Sequence, residues 1–227
     1  MRLLAPLAPP RRNVFCVGKN YSDHVAEIER SGFAGSSQGP PPKPAIFTKA
    51  TTAVIGPDDP ISAHVDLTRA LDYEAELAVV VGQGGRGISA EAAMDHVFGY
   101  TVVNDVTARD LQRDHQQWFI GKSLDGFCPM GPAITTRDQV DGRRVAIRCW
   151  VNGELRQESN TSQLITGIPA LIATISAGIT LLPGDVIATG TPRGVGAGFD
   201  PPRFLAPGDE VVIEIEGVGR LANRVTE

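Results

Sequence analysis

The stretch Asp72-Tyr73-Glu74-Ala75-Glu76-Leu77-Ala78-Val79-Val80-Val81 carries the reading from which the fold follows. Its apolar run, Leu77 to Val81, leaves no polar face, so Tyr73 to Val81 is predicted to be an interior strand covered on both sides. Side chains alternate along a strand, so Glu74 and Glu76 leave the same face with Cα atoms roughly 6 to 7 Å apart. At about 6.5 Å and an effective dielectric near 20 their carboxylates repel by on the order of 2.5 kcal/mol, and the adjoining apolar run adds a desolvation cost. A cation between them removes that cost. A solvent-facing edge with lysine partners is the other resolution, and a bare Glu-x-Glu leaves both open.

Further along, Tyr100 to Asn104 reads as a second apolar strand with Asp105 at its end, a location typical of sites built on sheet ends. Spacing alone does not make the two strands neighbours, so Asp105 joins Glu74 and Glu76 only if the fold brings it there. Three oxygen-only ligands favour Mg²⁺, Mn²⁺ or Ca²⁺, whereas zinc usually recruits histidine or cysteine; Mg²⁺ or Mn²⁺ is expected.

Working outward, the 227 residues can bury a substantial core in one domain, 1–227, without staples. With 25 Gly and 17 Pro the chain is rich in turn formers, which points to many short strands and argues against long helical bundles. A net charge of −5 gives no positive field for nucleic acid or an anionic membrane, and no run of about 18 apolar residues is present to span one. Cys16, Cys128 and Cys149 lie far apart without Cys-x-x-Cys spacing, which fits a reducing cytoplasm rather than a disulfide framework or zinc knuckle. The proline-broken segment Met1 to Arg12 lacks the features of a secretion signal and is expected to be poorly structured.

Asn13 to Val17 reads as a short strand. A helix follows, capped by Ser22, with Val25 and Ile28 on its apolar side and Gly32 at its stop. Ser31 to Pro44 sustains neither period and is expected to be a flexible loop, so that residues 20–44 form a helix on a movable arm. Ala45 to Val54 reads as strand, and Ser89 is expected to cap a helix running through Val97. Thr107-Ala108-Arg109-Asp110 has the form of a capping box that starts a helical turn directly after Asp105. Pro169 opens a helix burying Leu171, Ile172, Ile175 and Ile179, and the turns Pro183-Gly184-Asp185 and Pro207-Gly208-Asp209 each lead into a strand.

Four segments resemble the signatures of the fumarylacetoacetate hydrolase family: Gly18-Lys19-Asn20-Tyr21-Ser22-Asp23-His24, Asp72 to Leu77, Asn104 to Gln112, and Thr189-Gly190-Thr191-Pro192-Arg193-Gly194-Val195-Gly196, with Gly121-Lys122-Ser123 consistent with them. Pro183 to Ile187 fits as well, and the match runs in order from about Asn13 to the C-terminus. The resemblance implies an α+β, strand-rich fold, a mixed β-sandwich roll with a few short helices and a mobile lid helix, usually as a homodimer. It also implies a Mg²⁺ or Mn²⁺ site at Glu74, Glu76 and Asp105, and a small 2-oxo acid as substrate. Members of the family include acylpyruvate hydrolases, oxaloacetate decarboxylases and isomerases of ring-cleavage products; each reaction passes through an enolate-like electron sink.

His24 and Glu27 are three apart on the short helix, so the carboxylate can orient the imidazole and raise its basicity; with the lid role the resemblance implies, they would activate water for C–C hydrolysis. Decarboxylation and isomerisation are the alternatives, and a non-catalytic metal-binding module is a third. Lys122 is expected to steady a substrate carboxylate or oxyanion, since its Gly-Lys-Ser lacks the upstream glycine of a phosphate loop. Arg109 and Gln112 can contact substrate or support the metal ligands, with Asp110 or Asp114 as rival partners for the arginine. In the glycine-rich loop Thr189 to Gly196, backbone N–H groups and the Thr191 hydroxyl can hold a carboxylate. Lys49 ends a strand at a matching position, where surface charge is the other reading.

Overall fold

The computed structural model describes residues 3–33 and 39–227. In chain order the elements begin with β1 (Val14–Gly18), α1 (Ser22–Ser31), β2 (Ala45–Lys49), β3 (Val54–Ile55), β4 (Ile61–Ser62), β5 (Leu71–Asp72), β6 (Ala75–Val81) and β7 (Val97–Asn104). They continue with β8 (Thr107–Ala108), α2 (Arg109–Asp114), α3 (Phe119–Lys122), β9 (Cys128–Thr136), β10 (Ala146–Val151) and β11 (Glu154–Asn160). The chain closes with α4 (Ile168–Ser176), β12 (Val186–Ala188), β13 (Glu210–Ile215) and β14 (Gly219–Thr226).

A seven-stranded sheet, ordered β2-β1-β12-β6-β7-β9-β3, faces a five-stranded sheet, β11-β10-β13-β14-β4, through contacts of β10 with β6 and of β14 with β7 and β9. The pairings are mixed: β1 with β12, β3 with β9 and β4 with β14 are parallel, and the rest are antiparallel. This is the mixed, strand-rich roll the sequence leads one to expect. Strand β6 lies mid-sheet with every residue buried, as its unbroken apolar run dictates, whereas β10 alternates, turning Ile147, Cys149 and Val151 inward. One continuous core collects Leu77, Val79, Tyr100, Ile147, Ile172, Ile213 and Leu221 from both sheets and α4.

Several local expectations need correction. The segment Ala45 to Val54 is not one strand, because Thr51–Ala53 forms a 3₁₀ turn between β2 and β3. Tyr21, not Ser22, is at the N-cap of α1 and makes no side-chain cap; Gly32 does end the helix, at φ 79. Ser89 heads no helix: only a 3₁₀ turn, Ala93–His96, precedes β7, which starts at Val97. Ile179 lies beyond α4 and is exposed. The apparent capping box fails because Thr107 is a strand residue paired with Asp72, while the Asp110 carboxylate accepts from Thr68 Oγ1 and Arg69 N.

Of the N-terminal segment, Met1 and Arg2 lie outside the described residues. Residues 3–12 form no helix or strand, yet Ala5 is buried and Arg12 makes an ion pair with Asp185 and stacks over Phe15. Residues 34–38 of the expected flexible loop also lie outside the described residues. No helix among the described residues is long and apolar enough to cross a membrane.

Candidate active site

Register does what spacing alone could not. In the β6–β7 pair Glu76 lies opposite Val103 and Ala75 opposite Asn104. Just past that ladder the Asp105 N–H donates to the Glu74 carbonyl at 2.9 Å, and the Asn104 side-chain oxygen accepts from the Glu74 N–H at 3.0 Å. The Glu74 peptide is thereby pinned on both sides to Asn104-Asp105. One carboxylate oxygen each from Glu74, Glu76 and Asp105 falls within 4.8 Å of the others, and all three residues are buried.

Three cations meet this cluster. Lys122, at the end of α3, donates to Glu74 Oε2 at 2.7 Å and Asp105 Oδ2 at 2.9 Å. Lys49 donates to Asp105 Oδ1 at 2.5 Å and to the Val106 carbonyl at 3.0 Å; with 0% exposure, it is not surface charge. Arg109 pairs with Glu74 Oε1 at 2.7 Å, donates to Asp72 Oδ2 at 2.8 Å, and reaches Gln112 Oε1 at 3.2 Å. Its partners are therefore neither Asp110 nor Asp114; the latter pairs with Arg113 on the surface.

Positive charge is unevenly shared among the carboxylates. Burial works to raise Glu74, but Lys122 and Arg109 outweigh it and hold the group down to about 2. Glu76 goes the other way: burial first, then the charges of Asp105 and Glu74, push it well above the ordinary carboxylate range. Among the described residues Glu76 receives only the Gly190 N–H, at 2.8 Å. A buried, oxygen-only set with an undercompensated member fits a divalent cation, held by Glu74, Glu76 and Asp105.

Helix α1 packs against the turn Gly196–Gly198, placing His24 Nδ1 3.4 Å from Glu27 Oε2. The Glu27 carboxylate accepts the Gly194 N–H with both oxygens, at 2.9 and 3.0 Å. It occupies space that only a glycine leaves: a Cβ on Gly198 would stand 2.2 Å from Glu27 Cδ. His24 lines a cavity of about 370 Å³ together with Glu74, Glu76, Arg109, Gln112, Lys122 and Thr191, whereas Glu27, its neighbour on the helix, lies behind it and borders a separate depression with Arg30 and Gly198. Phe33, Phe47 and Trp118 bring aromatic surface to the wall, the last two edge to face at 5.3 Å, beside Val17, Val25 and Ile28.

The glycine-rich loop differs from expectation. Three of its glycine N–H groups, and that of Ala197 just beyond, are taken by the protein's own carboxylates: Gly190 by Glu76, Gly194 by Glu27, and Gly196 and Ala197 by Asp72 at 2.6 and 3.0 Å. The loop holds the site's acids, leaving Thr191 as its side chain on the cavity. Two buried residues carry positions that sequence reasoning did not assign. Asp72 ties Arg109 to the loop, and its place at the head of the quoted stretch was the available signal. Gln157 bonds Ala75, Thr191 and Pro192 from β11, a strand otherwise largely exposed that gives no local hint.

A mixed two-sheet roll that gathers buried carboxylates, lysines and an arginine under a short helix is the architecture of one enzyme family. A profile of that family, the fumarylacetoacetate (FAA) hydrolase C-terminal domain, matches residues 13–226, and the chain belongs to the fumarylacetoacetate hydrolase family. Among its relatives, the oxaloacetate tautomerase YisK of Bacillus subtilis is 50% identical over 226 residues, covering 99% of this chain and 73% of YisK. A fumarylacetoacetate hydrolase from Exiguobacterium antarcticum superposes with TM-score 0.89 at 52% identity, covering 99% of this chain and 78% of that one. A 2-hydroxyhepta-2,4-diene-1,7-dioate isomerase from Mycobacterium marinum gives TM-score 0.82 at 41% identity, with 99% and 77% coverage.

Proposed function

We propose that the protein binds one divalent cation, Mg²⁺ or Mn²⁺, at Glu74, Glu76 and Asp105, and interconverts the enol and keto forms of a small 2-oxo acid, with oxaloacetate as the first candidate. The observation that carries this reading is the order of the dyad: His24 faces the cavity, and Glu27 stands behind it, fixed by Gly194. With Nδ1 turned to Glu27, Nε2 is the ring nitrogen left to reach a ligand. A single positioned base is what a tautomerisation needs. One proton leaves the carbon beside the carbonyl, one reaches the oxygen, and no water enters the products.

The bound cation would supply positive charge for the oxygen on which enolate charge builds. Lys122 and Arg109, already seated against Glu74, add cationic charge at the same wall, and Lys49 neutralises Asp105 from beneath. Glu27 keeps the imidazole in one orientation and stabilises it when it carries the extra proton. Of the named relatives, the tautomerase and the isomerase support proton transfer, whereas the Exiguobacterium hydrolase supports the C–C hydrolysis that the dyad first suggested.

Acylpyruvate-type hydrolysis is the second reading. It is favoured by the cavity's extent, which at about 370 Å³ reaches past the carboxylates to Phe33 and Trp118 and exceeds the needs of a four-carbon acid. The test is to follow the loss of enol absorbance after adding enol-oxaloacetate to the Mn²⁺-loaded protein, with acylpyruvate cleavage in ¹⁸O-water run alongside. Accelerated ketonisation that collapses in His24→Ala supports tautomerisation. Unaccelerated ketonisation with ¹⁸O entering a cleaved carboxylate would replace it with hydrolysis.

A further inference from the structure

Gln157 is fully buried, and its amide has two backbone partners besides Thr191. Its oxygen accepts the Ala75 N–H at 3.0 Å, and its nitrogen donates to the Pro192 carbonyl at 2.7 Å. A backbone N–H only donates and a backbone carbonyl only accepts, so the amide has one allowed orientation. A flipped amide would set donor against donor at Ala75 and acceptor against acceptor at Pro192. The third contact, to Thr191 Oγ1 at 2.9 Å, therefore has a fixed polarity: Gln157 donates and Thr191 accepts.

A threonine hydroxyl has one proton, and a free one rotates to suit either kind of neighbour. Here the lone-pair side is held by Gln157, so the proton points elsewhere. Among the described residues no side chain or carbonyl accepts it, while Thr191 lines the cavity that holds Glu74, Glu76, Arg109 and Lys122.

We propose that Gln157 is a positioning residue that fixes the Thr191 hydroxyl as a donor into the cavity, so that the substrate carboxylate expected at Thr191 meets a proton already aimed at it. This rests on the 2-oxo acid reading above. It also makes β11 part of the recognition machinery, and it gives the cavity a preference for a carboxylate over a group that can only donate at that point.

The test uses pyruvate, the smallest stable 2-oxo acid of the kind, titrated calorimetrically into the Mn²⁺-loaded parent and variants after the Mn²⁺ affinity of each is measured. Thr191→Val and Gln157→Met are each expected to weaken pyruvate roughly 10-fold or more, the scale of a hydrogen bond to a charged group, with Mn²⁺ affinity unchanged. Thr191→Ser retains parental affinity, and Thr191→Val with Gln157→Met binds no more weakly than Thr191→Val by itself, because Gln157 acts through that hydroxyl. Should Gln157→Met fold poorly, the isosteric Gln157→Glu keeps the Ala75 bond but turns an oxygen to both the Pro192 carbonyl and Thr191, drawing the Thr191 proton back from the cavity; the same loss is expected, and its disappearance in the Thr191→Val background separates it from the effect of the added charge. Pyruvate affinity within twofold of the parent in either Gln157 variant overturns the proposal. So does a loss of equal size in the Thr191→Val background, or one traced wholly to weaker Mn²⁺ binding. A parent that binds Mn²⁺ but not pyruvate instead removes the substrate reading, and this assignment falls with it.

Discussion

Gly198→Ala is a perturbation whose effect can be worked from the geometry. The added Cβ would stand 2.2 Å from Glu27 Cδ, 2.3 Å from Oε1 and 2.4 Å from Cγ. Non-bonded carbons rest at about 3.5 to 4.0 Å, so one side must retreat by more than about 1 Å. Gly198 has no left-handed φ to forbid alanine, and the atoms it meets are the far end of a flexible side chain. Glu27 therefore moves, and with it go the two Gly194 N–H contacts and the 3.4 Å approach to His24.

Displacements of this size in a positioned catalytic group cost up to about 10²-fold, and a positioned base contributes ~10² to 10⁴, so kcat should fall about 10- to 100-fold. Stability should fall by a net of about 0.5 to 2.6 kcal/mol. Losing the charged hydrogen bond costs about 1.5–3 kcal/mol, and the stiffer unfolded chain returns about 0.4–1 kcal/mol. The assay is enol-oxaloacetate ketonisation by the Mn²⁺-loaded variant, with Mn²⁺ affinity and the thermal midpoint measured on the same sample. A kcat within twofold of the parent would refute the role of Gly198 as the seat of Glu27.

Three further outcomes follow from the same geometry. Glu76→Ala removes the carboxylate least compensated by protein cations and should weaken Mn²⁺ binding by more than about 100-fold in calorimetry; unchanged binding would sink the ligand assignment. Asp72→Ala removes one of the two carboxylates paired with the buried Arg109 guanidinium and leaves the Gly196 and Ala197 N–H groups without their acceptor, for a loss of about 3–5 kcal/mol in urea unfolding; a loss below about 1 kcal/mol would contradict the buried pair. Leu77→Ala, in the buried centre of β6, should cost about 2–5 kcal/mol while leaving Mn²⁺ affinity intact, separating the strand's two tasks.

Local pattern alone decided a good deal. The unbroken Leu77 to Val81 run marks an interior strand because no polar face is available, and Pro183-Gly184-Asp185 and Pro207-Gly208-Asp209 place turns ahead of β12 and β13 through glycines at φ 85 and 98. The same-face spacing of Glu74 and Glu76 needed only the two-residue period of a strand. These features are local, and local sterics and solvation determine them.

Tertiary structure decided the rest, because it depends on which segments share a sheet. Asp105 joins the pair through the β6–β7 register, and Lys49 turns from a plausible surface charge into a buried partner because the fold sets the end of β2 against Asp105 and the Val106 carbonyl. Thr107 to Asp110 had the spelling of a capping box, but Asp72 and Thr68 supplied competing partners from elsewhere in the chain. The glycine-rich loop was recognisable as part of a site; only the folded chain shows that the N–H groups of Gly190, Gly194 and Gly196 are spent on Glu76, Glu27 and Asp72. A sequence reports the chemistry a residue can offer, whereas its partner is set by neighbours whose separation along the chain carries no local trace.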